Sequence, residues 1–222
     1  MIGPMSRAEL SLCFVIVLIS TACGTSPQAA APGPSPLGAR TSARMESVTM
    51  GELVRRTPYT VTLDYSTFYL YDRRNVSAEH DDVPALAERA IAGDGIARGL
   101  GTVVIMSPHQ NNFAMSLTVE QWDGVPPDDL ADWQEGYLTG LDVDEHGLMY
   151  QSPTLDGYLL DLPAGRWQAR ITGRGFVNRG WPGTTTPGDT WRIQAWPTAE
   201  RAEVRRIAHW TPDGPAPLTT TP

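Results

Sequence analysis

Apolar and polar residues alternate along most of the chain between Val48 and Thr211. Tyr59, Val61, Leu63 and Tyr65 alternate with Thr60, Thr62 and Asp64; Phe113, Met115, Leu117 and Val119 alternate with Ala114, Ser116, Thr118 and Glu120. The same period recurs where Trp167, Ala169 and Ile171 interleave with Gln168, Arg170 and Thr172. It recurs again where Trp191, Ile193 and Ala195 interleave with Arg192, Gln194 and Trp196. A period of two sends neighbouring side chains to opposite faces, so each segment predicts a strand with one face in a core and the other in water. Continuous apolar runs at Phe68–Tyr71, Val103–Met106 and Tyr158–Leu160 predict strands buried more completely, and shorter strands are expected at Tyr137–Val143, Leu148–Gln151 and Val204–Trp210.

Turn-forming clusters separate these segments: Asp144-Glu145-His146-Gly147, Asp156-Gly157 and Pro163-Ala164-Gly165. One stretch reads as a helix, Pro84–Ala92, with Asp82 as a cap, proline at an early position and Gly93 as a stop. Many short strands with one short helix predict a mainly β domain over residues 48–211, an antiparallel β-sandwich. The pattern does not specify the strand order.

The chain outside this region has a different character. Residues 1–22 contain Arg7, an apolar run from Leu12 to Ile19, and small residues before a cysteine, the layout of a signal peptide. The run falls short of the roughly 20 apolar residues of a membrane span. Ile19-Ser20-Thr21-Ala22-Cys23 is similar to a bacterial lipobox, which predicts acylation of the Cys23 thiol and a mature chain that starts there. Two or three acyl chains make a stable anchor at about 0.8 kcal/mol per buried CH2. Residues 23–47 are rich in proline, alanine, serine and glycine and read as a disordered tether; 212–222 read as a disordered tail. The expected location is the extracytoplasmic side of a cell membrane, lipid-anchored through Cys23. Cys13 is the only other cysteine, so the β-domain is held together without disulfides.

Length and composition narrow the classes. A chain of 222 residues with 41% apolar content suits one domain with an ordinary core, and the net charge of −8 argues against a nucleic acid partner. All the cationic side chains are arginines, and their placement is uneven. Eleven acids and no arginine lie between Gly99 and Gly165, whereas eight arginines face three acids between Arg166 and Arg206. Two readings stay open. Acidic loops and an arginine-bearing face neutralise one another across the fold, or an acidic surface recruits a basic protein. The second reading singles out Asp128, Asp129, Asp132 and Glu135, with Trp133 among them as an aromatic anchor.

Gly93-Asp94-Gly95-Ile96-Ala97-Arg98-Gly99 has its third glycine one place late for a dinucleotide loop and follows a helix rather than a strand. Asp142 to Gly147 begins like a calcium loop, but His146 holds the fifth place and Pro153 the terminal glutamate place. His80, His109, His146 and His209 form no spaced zinc pair. Ser107 and His109 could form a hydrolytic pair, yet no Gly-x-Ser-x-Gly elbow surrounds the serine. No catalytic residue, metal site or cofactor is therefore expected.

The run Tyr59–Asp72 resembles the opening strands of the competence protein J, or DNA-entry nuclease inhibitor, family. The resemblance continues through Ala87-Glu88-Arg89 with Asp94-Gly95, Gly147–Ser152 and Leu162–Gln168. Gly165–Gly175 with Trp191–Pro197 is similar to the closing hairpin of many actinobacterial proteins. The resemblance implies a non-enzymatic β-domain that binds another protein, with no catalytic residues to carry over. Expected functions are thus a surface-tethered interaction protein, an inhibitor of a nuclease or other secreted enzyme, with a glycan- or peptidoglycan-binding module and an unrecognised hydrolase as alternatives. Seven tryptophans motivate the glycan alternative.

Overall fold

The computed structural model describes residues 50–73, 81–111, 113–177, 188–199 and 203–212. The signal peptide, Cys23, the tether, His80, Trp181 and the tail beyond 212 lie outside them. Eleven strands form two sheets among these residues. They are β1 (Leu53–Val61), β2 (Thr67–Asp72), β3 (Ile96–Arg98), β4 (Thr102–Met106), β5 (Met115–Trp122), β6 (Glu135–Val143), β7 (Leu148–Gln151), β8 (Tyr158–Leu160), β9 (Gly165–Arg174), β10 (Thr190–Pro197) and β11 (Arg205–Ala208). The larger sheet runs β1-β5-β10-β9-β6-β11 and the smaller β3-β4-β2-β7-β8.

The mainly β architecture agrees with the alternation in the sequence. All neighbours are antiparallel except β5 and β10, which run parallel, with Leu117 opposite Trp191 and Val119 opposite Ile193. The sheets meet face to face over one core. Phe68 and Tyr150 of the small sheet stack with ring centroids 5.3 Å apart, and Phe68 meets Trp191 of the large sheet edge-on at 5.1 Å. Both arrangements are favoured by the ring quadrupole.

The helix α1 (Val83–Ala92) starts where Asp82 accepts a hydrogen bond from the Ala85 amide at 3.0 Å, and Gly93 closes it by donating to the Arg89 carbonyl at 3.0 Å. Its buried face, Leu86 and Ala90, packs on Ala97 and Val104. This is why Val103–Met106 is apolar without alternation: Val103 and Ile105 enter the main core, while Val104 is covered by the helix on the opposite face.

The polar face of β5, β9 and β10 meets water only in part: Ser116 is exposed and Thr118 and Gln168 are half-buried, but Glu120, Arg170, Thr172, Arg192 and Gln194 are buried, against the expectation from alternation. The physical reason is the segment between β5 and β6, with a single 3-10 turn at Leu130–Asp132, which is bonded to this face. The Pro127 carbonyl accepts from Arg170 Nη2, Asp129 pairs with Arg192, and the Trp133 ring lies against Arg192. Beneath it the cross-strand neighbours Arg170, Gln194 and Glu120 bond in a row: Arg170 Nε donates to Gln194 Oε1 at 2.7 Å, and Gln194 Nε2 donates to Glu120 Oε2 at 2.9 Å. Polar groups buried this way are stable because each has a partner.

Candidate functional site

The residues singled out for an acidic partner surface divide into two places. Asp129 and Trp133 sit together. Arg192 donates to both Asp129 oxygens, at 2.6 and 2.8 Å, and the Trp133 ring is flanked by Arg192 at 4.3 Å and Arg174 at 4.9 Å. Burial raises the Asp129 carboxyl, but the hydrogen bonds and charge of Arg192, with the charge of Arg170, outweigh it and hold the carboxyl below its ordinary range. Glu135 is elsewhere and buried, with its Oε2 accepting from the Trp210 amide at 2.8 Å and its Oε1 2.9 Å from Arg206 Nε. Asp128 and Asp132 remain exposed. The five residues therefore do not share one open face, because Arg192 and Arg206, from the later part of the chain, pair with Asp129 and Glu135. Asp142 pairs at the surface with Arg98 at 2.6 Å and Arg166 at 3.4 Å.

Ser107 and His109 do not form a hydrolytic pair. His109 Nε2 lies 2.8 and 2.9 Å from the two oxygens of Asp189, and both side chains are wholly buried. Neither Ser107 Oγ nor His109 Nδ1 has a hydrogen-bond partner, so they do not bond to each other as a nucleophile and its base must. Phe176 packs edge-on against the imidazole at 5.1 Å, and Trp210 lies 6.4 Å away. This pair fixes the loop of residues 107–111 from below. Asp144, Glu145 and His146 bring their donor atoms within 4.8 Å of one another, but on a turn that Asp144 closes by accepting from the His146 amide at 2.8 Å. That is the acidic turn expected from its sequence. Of the six tryptophans among the described residues, Trp167, Trp191 and Trp210 are buried in the core, and Trp122, Trp133 and Trp196 are partly buried.

The most unusual backbone lies at the turn between β1 and β2. Tyr65 (φ 49°) and Ser66 (φ 52°) are both left-handed, and they are the only non-glycine residues with positive φ among those described. Consecutive L-residues in this region are strained and persist only where surrounding bonds impose them. Here the bonds are many. The Asp64 amide donates to Ser152 Oγ at 2.8 Å, the Asp64 carboxylate accepts from the Thr154 amide at 3.1 Å, and Ser152 Oγ donates to the Thr67 carbonyl at 2.8 Å. From the other side, Ser66 donates its amide to Gln110 Oε1 at 2.8 Å and accepts from the Ser107 amide at 2.7 Å; Gln110 Nε2 donates to the Leu63 carbonyl at 3.1 Å. The result holds Tyr65 outward with 71% of its surface exposed, beside an open groove lined by Asp64, Ser66, Gln110 and Thr154.

The sequence gives no warning of this turn. Tyr65 fits the β1 alternation as a fourth inward position, and glycine, the residue that usually marks positive φ, is absent.

No family model and no curated protein matches the chain. Among solved structures it is similar to ComJ from Bacillus subtilis, an inhibitor of the DNA-degrading activity of NucA, at 16% identity and a TM-score of 0.46 over 68% of this chain and 100% of that one. It is also similar to the protein of crocagin biosynthetic gene J, at 12% identity and a TM-score of 0.39 over 67% of this chain and 99% of that one.

Proposed function

We propose that the β-domain is a non-enzymatic protein-binding module that docks through the Tyr65 turn, held outside a membrane by a lipid on Cys23, and that it inhibits a nuclease or another secreted enzyme. The observation that carries the binding role is the strained, fully braced turn presenting one exposed aromatic. An anchor whose backbone is already fixed loses little entropy on docking, and tyrosine is enriched among residues that dominate interfaces. The exposed acids Asp128 and Asp132 are the part of the acidic surface still open to a basic partner. The choice of an enzyme as partner rests on the sequence resemblance of Tyr59–Asp72 and the segments after it, and the anchor on Ile19–Cys23.

The test is affinity capture from cell envelopes, with wild type and Tyr65→Ala as baits. A protein retained by wild type and lost with Tyr65→Ala is the expected result; capture that ignores the substitution sinks the docking site. Labelling with radioactive palmitate tests the anchor separately, and incorporation that survives Cys23→Ala would remove it.

A further inference from the structure

A second recess opens on the other flank of the loop 107–111, between the end of α1 and the β6–β11 edge. Its volume is about 220 Å³, room for about seven waters at about 30 Å³ each and hence for one residue-sized group. Ile91, Met106 and Pro108 supply apolar wall, and Ser107, Glu135 and Arg206 supply polar wall. Ser107 Oγ is buried beside this recess without a hydrogen-bond partner, and next to it Glu135 Oε1 and Arg206 Nε meet at 2.9 Å in an ion pair without hydrogen-bond alignment. Native structures leave few buried hydroxyls unpartnered, so Ser107 at this cleft points to an occupant.

The state of Arg206 indicates what that occupant is. Arg192 commits both Nη atoms to Asp129. Arg206 instead meets Glu135 with Nε, 2.9 Å from Oε1, with its N–H not aligned on the oxygen. No other carboxylate pairs with it among the described residues. Nη2 of the guanidinium lies beside Gly95 and Tyr137 Oη, on the wall of the recess. A Cβ at Gly95 would come within 2.8 Å of both atoms, so the bare backbone there is what lets the guanidinium lie in this position. A guanidinium edge two nitrogens wide matches a carboxylate. Glu135, buried and close by, disfavours a doubly charged anion more than a singly charged one.

We propose that this cleft binds a monoanionic carboxylate of single-residue size, with Arg206 taking the carboxylate, the Ser107 hydroxyl completing it, and Ile91, Met106 and Pro108 covering the rest. The source is either a free small carboxylate or the C-terminus of a peptide. This site does not depend on the Tyr65 reading.

The test follows amide NMR shifts of the full chain during titration with N-acetylglycine, N-acetylglycinamide and inorganic phosphate. Expected are saturable shifts at Gly93, Gly95 and Ser107 with N-acetylglycine, none with the uncharged amide, and weaker binding of phosphate. Ile91→Asp places a negative charge on the rim at a residue 68% exposed, where it does not disturb packing, and should weaken binding at least tenfold. Ser107→Ala removes an unpartnered hydroxyl and should weaken it several-fold without lowering the melting temperature. A peptide with a free C-terminus that binds more tightly than N-acetylglycine assigns the chain end; equal affinity assigns the free carboxylate. Absence of saturable shifts, equal response to the amide, phosphate binding as strong as the carboxylate, or affinity unchanged in both variants would overturn the proposal.

Discussion

Arg192 holds Asp129 through two hydrogen bonds, one from each terminal nitrogen, while its guanidinium plane rests 4.3 Å from the centre of the Trp133 ring. This contact ties the segment between β5 and β6 to the outer face of the large sheet. Asp129→Asn keeps the shape and removes the charge. It should cost about 1.5–3 kcal/mol, the usual worth of hydrogen bonds to a charged group, read as a shift in the urea midpoint. The pH dependence has a definite sign. A carboxyl held below its ordinary value stabilises the fold above a pH of about 4, and that contribution disappears as pH falls through the folded-state value. The gap between wild type and Asp129→Asn should therefore be full at neutral pH and close in acid.

Buried His109 and Asp189 form a pair whose role is structural, and this can be checked by comparing single and double substitutions. His109→Leu leaves a buried carboxylate without its partner, an error that typically costs about 3–5 kcal/mol. His109→Leu combined with Asp189→Leu removes both polar groups, and the double variant should be more stable than His109→Leu alone. If the single substitution were harmless, the anchoring of the 107–111 loop described above would be wrong.

Tyr65→Gly separates strain from recognition. A left-handed L-residue costs about 1–2 kcal/mol relative to its preferred backbone, which glycine relieves, while glycine adds about 0.5–1 kcal/mol of unfolded-state entropy. Thermal unfolding should show stability unchanged or raised by about 1 kcal/mol, with envelope capture lost. A large loss of stability would mean that the tyrosine ring, rather than a partner, justifies the turn.

The phenols of Tyr137 and Tyr150 are pushed far above the ordinary tyrosine value, first by burial and then by nearby negative groups, Glu135 for Tyr137 and Tyr158 and Asp64 for Tyr150. Both hydroxyls donate to carbonyls, Tyr137 to Met106 at 3.0 Å and Tyr150 to Thr62 at 2.8 Å. With the folded value raised, their contribution is complete below a pH of about 10 and is lost above it, because the unfolded chain ionises first. Stability should fall steeply between about pH 10 and 11. Tyr137→Phe and Tyr150→Phe should each flatten that fall while costing about 1 kcal/mol at neutral pH.

What could be read from the chain alone follows a physical divide. Local periodicity marked β2, β4, β7, β8 and the helix because each announces itself within a few residues. The first half of β1, Leu53 to Pro58, was invisible because it is largely exposed and shows no alternation. β3 is hidden in the glycine-bounded stretch Gly93–Gly99, whose sequence reads as a helix stop and a turn. The charge polarity was legible, and internal neutralisation was one of its two readings, but pairings such as Asp129 with Arg192 or His109 with Asp189 span 63 and 80 residues, and no local signal chooses among so many arginines or acids. Ser107 and His109 drew notice for the wrong chemistry. The Tyr65 turn was unreadable since its conformation is imposed by Ser152, Thr154 and Gln110, far along the chain.

The parallel seating of β10 between β5 and β9 governs the order in which the molecule can assemble. Every other strand of the large sheet except the edge strand β11 precedes it in the chain, yet none of them can bridge β5 to β9. A nascent polypeptide that has not yet released Thr190–Pro197 lacks the strand that joins the two halves of the large sheet. That sheet can therefore close only once the last part of the chain is available.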